Sequence, residues 1–193
     1  PVPSRRFGLS LGVDVVPHKV CSHDCIYCQV GPTDRLTAER EEFYPVEEIL
    51  ADVAAALEDG PKPDVITLAG SGEPTLYASL GALIDGLHAL AKIPVLLITN
   101  GATLFCKEVA DAALKADILA PSLDAGDAAT FERVNKPAPG VTFDRFVEGL
   151  RDVTSRHTGE VRLEVMLIKG VNDSDESMRA IAEVARTLRF DKL

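Results

Sequence analysis

Three cysteines stand within eight positions, in Cys21-Ser22-His23-Asp24-Cys25-Ile26-Tyr27-Cys28, a C-x3-C-x2-C spacing. Three thiolates on one short loop can bind three irons of a [4Fe–4S] cube and leave the fourth iron for a small ligand. A cube closed by four cysteines suits plain electron transfer, whereas an open iron can bind a cofactor or substrate and do chemistry. Two other readings use the same residues. One is a structural zinc site with His18 or His23 as the fourth ligand, although zinc knuckles usually come in pairs and only one is present. The other is a redox pair, Cys25 with Cys28, although Cys25-Ile26-Tyr27-Cys28 does not open a thioredoxin-like helix. Cys106 is remote and is expected to pack in a helix as a small hydrophobe. Clustered thiols without an export signal predict a metal site in a reducing cytoplasm rather than disulfides.

The elements that must position this loop alternate between strand and helix patterns. Val13 to Val16 is a short apolar run leading into the cysteines. Val46, Ile49, Leu50, Val53, Ala54 and Leu57 share one helical face behind Pro45, and Leu80, Leu83, Ile84, Leu87 and Leu90 share another. Strands are predicted at Val65 to Ala69, Val95 to Ile98, Ile118 to Leu123 (interrupted by Pro121) and Val161 to Ile168. Helices are predicted at Lys107 to Lys115, after Asp127, at Phe143 to Val153, and from a capping box of Asp173 and Glu176 through Leu188. This βαβαβα order, in units of roughly 30 residues, is that of parallel crossovers. Periodicity leaves open whether the sheet curls as a barrel or stays doubly wound.

The chain has 193 residues, 46% of them hydrophobic, which suits one well-cored α/β domain and excludes disorder. No apolar run approaches the roughly 20 residues of a membrane span. With 20 basic and 30 acidic residues the net charge is −10, so the surface offers no general electrostatic footprint for nucleic acid.

C-x3-C-x-aromatic-C after the first strand of a β/α chain resembles the signature of radical S-adenosylmethionine (SAM) enzymes. The resemblance implies a partial parallel (β/α)6-type TIM barrel in which Cys21, Cys25 and Cys28 hold a [4Fe–4S] cluster. Its open iron chelates the amino and carboxylate groups of SAM. One electron then cleaves SAM to methionine and a 5′-deoxyadenosyl radical, which abstracts hydrogen from substrate. Gly70-Ser71-Gly72-Glu73-Pro74 is similar to the family's Gly-Gly-Glu-Pro-like segment at the SAM amino group. Its glycines would let backbone approach the ligand, and Glu73 would add negative charge. Ser71 departs from the second position of that window. Ser122 and Asp124, after the fourth strand, would contact the SAM carboxylate or ribose, and Asn100 faces the same side. Ile168-Lys169-Gly170-Val171-Asn172-Asp173 looks like the adenine segment, with Val171 against one face of the base and Tyr27 supplying a further contact. Apart from the family, the same residues read as turns at Gly70-Ser71-Gly72 and Asn100-Gly101, a cap at Asp124 and core at Tyr27. His23, Asp24 and Lys136 are expected at the surface.

Within that superfamily, Pro3-Ser4-Arg5-Arg6-Phe7-Gly8, Leu11-Gly12-Val13-Asp14, Cys28-Gln29-Val30-Gly31, Ser122-Leu123-Asp124-Ala125 and Val134-Asn135-Lys136-Pro137 resemble the Fe–S oxidoreductase group related to tRNA wyosine-base (imidazoguanosine) synthases. Those enzymes build a tricyclic base on tRNA guanosine from pyruvate, with a second cluster held by further cysteines. Here only Cys106 remains for one, and the acidic balance disfavours tRNA. Wyosine-type base modification is therefore kept as an alternative, beside a non-SAM iron–sulfur electron-transfer or scaffold protein and a zinc-stabilised binding module. The resemblance also implies a flavodoxin- or ferredoxin-type reductant, and leaves the substrate open among small molecule, peptide and RNA. Five strand–helix units are complete, and Phe190 to Leu193 reads as the approach to a sixth strand. The expectation is a single core domain over residues 1–193 whose sixth strand is cut and whose C-terminal end is missing.

Overall fold

The computed structural model describes residues 1–193. Its main sheet has six strands in the order β1 (Val2–Ser4), β2 (Gly8–Val13), β5 (Val65–Leu68), β6 (Val95–Thr99), β7 (Ile118–Pro121) and β8 (Glu160–Val161). From β2 onward all neighbours are parallel, while β1 folds back antiparallel on β2. Each parallel strand lies beside the next one in sequence. A doubly wound sheet reverses direction at a switch point; this one does not, so it curls as an open partial barrel.

The crossovers are α1 (Val46–Asp59), α2 (Leu80–Leu90), α3 (Lys107–Ala113), then α4 (Ala128–Val134) with α5 (Phe143–Arg156). The helix α6 (Asp175–Ala185) follows β8. Their apolar faces cover the outside of the sheet, where Ile66, Leu68, Leu97 and Leu119 are buried with Leu83, Leu87, Val109 and Leu150. Side chains of alternate strand positions face the concave side. There Val65, Leu96 and Ala120 form a separate small cluster, and the same parity carries Asn100, Ser122 and Asp124 to the strand ends.

Three local expectations change. The first parallel strand is Gly8–Val13 rather than Val13 to Val16. Its partner β5 ends at Leu68, so the chain leaves the ladder there, although Val15 and Val16 stay buried. The strand expected over Val161 to Ile168 shrinks to Glu160–Val161 plus an isolated bridge between Ser122 and Glu164 in the same register. Pro121, opposite it, has no N–H to give, so one rung is missing. The cap of α6 is Ser174, whose hydroxyl accepts from Ser177 N, while Asp173 accepts from Gly170 N at 2.7 Å. Asp127 caps α4 as expected. Lys192 forms a parallel bridge with Arg162 beyond β8. No helix is long and apolar enough to cross a membrane.

Candidate cluster and cofactor site

The cysteine loop is pinned at both ends. Cys21 closes β3 (Val20–Cys21), which pairs with β4 (Arg35–Leu36). The loop's middle is taken up by the C-terminus of α4. Asp24 N and Ile26 N donate to the carbonyls of Asn135 and Val134, each at 3.0 Å, and so satisfy helix-end acceptors. Cys28 N then donates to the Cys25 carbonyl at 3.0 Å, a turn that brings the last thiol round beside the others.

Cys21, Cys25 and Cys28 are half-buried, free thiols lining one cavity of about 180 Å³ with Gly70, Gly72 and Glu73. Each sulfur receives one side-chain N–H from a different part of the chain. Asn100 Nδ2 lies 3.5 Å from Cys21 Sγ, Asn135 Nδ2 lies 3.6 Å from Cys25 Sγ, and Lys19 Nζ lies 3.6 Å from Cys28 Sγ. Burial is the main cause that pushes Cys21 up to about 12 and Cys25 up to about 11, with the negative field of Glu73 adding at Cys21. Free, these two sulfurs hold their protons, and a metal must displace them.

The donor set fits a cube better than a zinc ion. No three His, Cys, Asp or Glu side chains converge on a point, as a mononuclear site needs, whereas a cube takes three thiolates on three separate irons. His18, one candidate fourth zinc ligand, is exposed. His23, the other, is not the surface residue expected. It is 2% exposed, its ring set edge-on to Phe131 at 5.3 Å, and both ring nitrogens lack partners. Burial alone lowers its pKa to about 3. Asp24 is half-buried, accepts from Thr33 N at 2.8 Å and pairs with the exposed Lys136 at 3.8 Å. Cys106 precedes α3 and packs against the core.

Glu73 is 2% exposed and held from four directions. Its Oε1 accepts from Thr75 N, Thr75 Oγ1 and Thr99 Oγ1 at 3.0, 2.7 and 2.6 Å, and its Oε2 accepts from Asn100 N at 2.8 Å. Burial raises its pKa against these lowering hydrogen bonds. Oε1 is saturated, and Oε2 keeps acceptor capacity.

The glycines beside it have a packing reason. A Cβ on Gly70 would lie 2.1 Å from the Asp14 carboxyl, and one on Gly72 would lie 2.0 Å from the Val20 carbonyl oxygen. Ser71 serves the same contact. Its N–H and hydroxyl both donate to Asp14 Oδ2, and it does not line the thiol cavity.

Ser122 lines the thiol cavity and also an adjoining one of about 660 Å³, which Tyr27 and Asp124 share. Asp124 is 2% exposed and occupied by protein donors: Tyr27 OH and Asn135 Nδ2 on Oδ2, Met166 N on Oδ1. Burial and the neighbouring carboxylate raise the Tyr27 phenol. Val171 reaches neither cavity. Its half-buried side chain sits beside Asn172, which is fully buried and ties Ile168 N, Met166 O and Asp124 O together.

Thus Gly70, Gly72, Glu73, Asn100 and Ser122 meet the three cysteines, Tyr27 and Asp124 stand next door, and Ser71 and Val171 stand outside. Lys19, Asp14, Thr99 and Asn135 belong to the site although the sequence reading gave none of them a role there, Asp14 and Asn135 standing only inside family-like segments. Only adjacency hinted at Lys19, two positions before Cys21.

Known proteins resemble this chain in sequence and in fold. A family model described as the radical SAM superfamily matches residues 15–181. A Brachyspira hyodysenteriae protein named GTPase Obg is 42% identical over the whole chain, which covers 28% of that protein. A radical SAM methyltransferase from Sphaerobacter thermophilus superposes with a TM-score of 0.69 at 24% identity, over 93% of this chain and 53% of its own. TYW1 with a lysine–pyruvate adduct bound superposes at 0.59 and 23% identity, over 93% of this chain and 59% of its own. These two likenesses are of fold. The chain spans between 28% and 66% of the lengths of eight curated relatives that it matches.

Proposed function

The chain belongs to the radical SAM superfamily, and from that premise we propose that Cys21, Cys25 and Cys28 hold a [4Fe–4S] cluster at which SAM is bound and reductively cleaved. When bound, the cluster supplies the electron that splits SAM into methionine and a hydrogen-abstracting 5′-deoxyadenosyl radical. The observation that carries the reading is the single cavity shared by three free thiols and a buried carboxylate.

Within it the protein's own groups have distinct tasks. Asn100 and Ser122 border the cofactor space, and Asn100 also steadies the Cys21 sulfur. Glu73 Oε2 offers an acceptor to an ammonium group. Gly70 and Gly72 keep the loop low over the cavity. Tyr27 and Asp124 line the larger cavity, which shares Ser122 with the thiol cavity, and there a substrate places the hydrogen to be removed. Val171 and Ser71 act at one remove, through the loops they fix. A one-electron donor of flavodoxin or ferredoxin type supplies the electron.

Anaerobic reconstitution with iron and sulfide tests this. A brown protein whose reduced EPR signal changes on adding SAM, and which releases 5′-deoxyadenosine, is expected. A colourless protein carrying one equivalent of zinc would sink the reading.

A further inference from the structure

Lys19 is 3% exposed, yet no carboxylate lies within ion-pair distance of its ammonium. Its Nζ has two hydrogen-bonding partners, the Gly31 carbonyl oxygen and Cys28 Sγ at 3.6 Å. A buried cation without a counter-charge is among the most costly arrangements a fold can keep. The backbone goes to some length to keep it. Lys19 has φ +61°, the left-handed region that a lysine seldom adopts. Its N–H donates to Ser71 O at 3.0 Å, and its carbonyl accepts from Asp34 N and Arg35 N at 3.2 and 3.1 Å. Three backbone hydrogen bonds to two segments thus fix the residue whose side chain reaches the cysteine turn.

We infer that Lys19 is the counter-charge of the loaded site and sets its reduction potential. The inference rests on the cluster reading above. Loading turns the three cysteines into metal-bound thiolates, one of them in contact with Nζ, so the cluster brings an anion to the ammonium. On reduction, one electron passes from the flavodoxin- or ferredoxin-type donor into the site, which gains one negative charge and no proton. A fixed cation at the sulfur favours the more negative state, and charge and hydrogen bonds at cluster sulfurs are established levers on potential. Asn100 and Asn135 give the other two sulfurs neutral N–H donors, so Lys19 is the one formal positive charge in direct contact with a cysteine of the loop. It is a positioning residue acting through Cys28.

The test is an EPR-monitored redox titration of the anaerobically reconstituted protein, wild type beside Lys19→Gln, Lys19→Met and Lys19→Arg, with iron and sulfide per chain measured on each. Both neutral variants should be about tenfold harder to reduce, a fall of about 59 mV for one electron, and Lys19→Arg should stay near wild type. Equal potentials in Gln, Met and wild type with full clusters would overturn the inference. So would an Arg variant that falls as far as Gln, since shape rather than charge would then be at work. If the neutral variants lose their cluster, retention by Lys19→Arg supports the counter-charge role and loss in Arg as well refutes it. A wild-type protein that takes up no cluster at all would instead refute the underlying reading.

Discussion

The carboxylate of Asp14 carries the loop that follows β5: its Oδ2 accepts from Ser71 N at 2.9 Å and from Ser71 Oγ at 2.6 Å. Asp14 is the residue after β2, so the ends of two adjacent parallel strands are joined through one side chain. Replacing it with Ala removes two charge-assisted hydrogen bonds. The expected loss is about 1.5 kcal/mol of local stability, at the low end for bonds to a charged group because the site is partly wet. Gly70→Ala should act through the same bonds, because its Cβ would occupy the place of the Asp14 carboxyl. Asp14→Ala combined with Gly70→Ala should therefore cost clearly less than the two single losses added. Calorimetric SAM binding and thermal melts of the four proteins form the double-mutant cycle, and strict additivity would disprove the shared mechanism.

Glu73 predicts a graded pair. Glu73→Gln keeps the shape but points an N–H₂ group at donors on one side, leaving a buried donor facing a donor at about 1–3 kcal/mol. Thr99→Val removes one of the four donors and also the acceptor of Gly101 N at 3.0 Å, yet leaves the carboxyl group and its other three donors in place. Denaturant titration should place Thr99→Val between wild type and Glu73→Gln. SAM affinity should drop more than tenfold in Glu73→Gln, since the ammonium acceptor also loses its charge.

A buried histidine gives the pH dependence. His23 is depressed to about 3 by burial, while an unfolded histidine titrates near 6.5. Between these values the unfolded chain binds a proton that the folded one refuses, so stability falls as the pH is lowered. The stabilisation is fully present above about pH 6.5 and is lost progressively toward pH 3. His23→Phe keeps an aromatic ring against Phe131 and Phe146 and removes the titration. The melting temperature of cluster-free His23→Phe minus that of wild type should grow steadily from pH 7 to pH 4. A constant difference would show that the ring already takes up its proton in the folded protein.

Much of this architecture is written in local pattern. The parallel order, the helix faces and the strand-end placement of Asn100, Ser122 and Asp124 follow from period-two and helical spacing, which a single sequence displays. The cysteine triad follows from spacing and chemistry. Local pattern cannot show which polar atoms meet across long separations. Lys19 reaches Cys28 by a side chain in an unusual backbone conformation, and Asn135 reaches Cys25 across 110 positions. His23 reads as a loop polar residue until α4 and α5 close over it. Val171, an apolar residue in a motif resembling an adenine contact, lies outside both cavities, where Asn172 takes the inward position. Pro121 was legible as an interruption, but its consequence, the missing rung opposite β8, needed the register.

Asn135 supplies the sharpest remaining prediction, because one amide serves two groups that repel each other. Its Nδ2 donates to Asp124 Oδ2 at 2.9 Å and lies 3.6 Å from Cys25 Sγ, while the residue is 3% exposed. When Cys25 becomes a thiolate on metal binding, the amide N–H₂ screens it from the Asp124 carboxylate, whose field otherwise raises the thiol. Asn135→Ala removes the screen and leaves a buried carboxylate short of one donor, at about 1.5–3 kcal/mol. Asn135→Asp is nearly isosteric but sets a second carboxylate against the first, a buried like-charge contact that is relieved only when one of the two holds a proton. Iron content after reconstitution should therefore fall in the order wild type, Ala, Asp, and cluster loss on exposure to chelator should quicken in the same order. If Asn135→Asp retained iron as well as Asn135→Ala, steric filling rather than charge would be what the amide contributes.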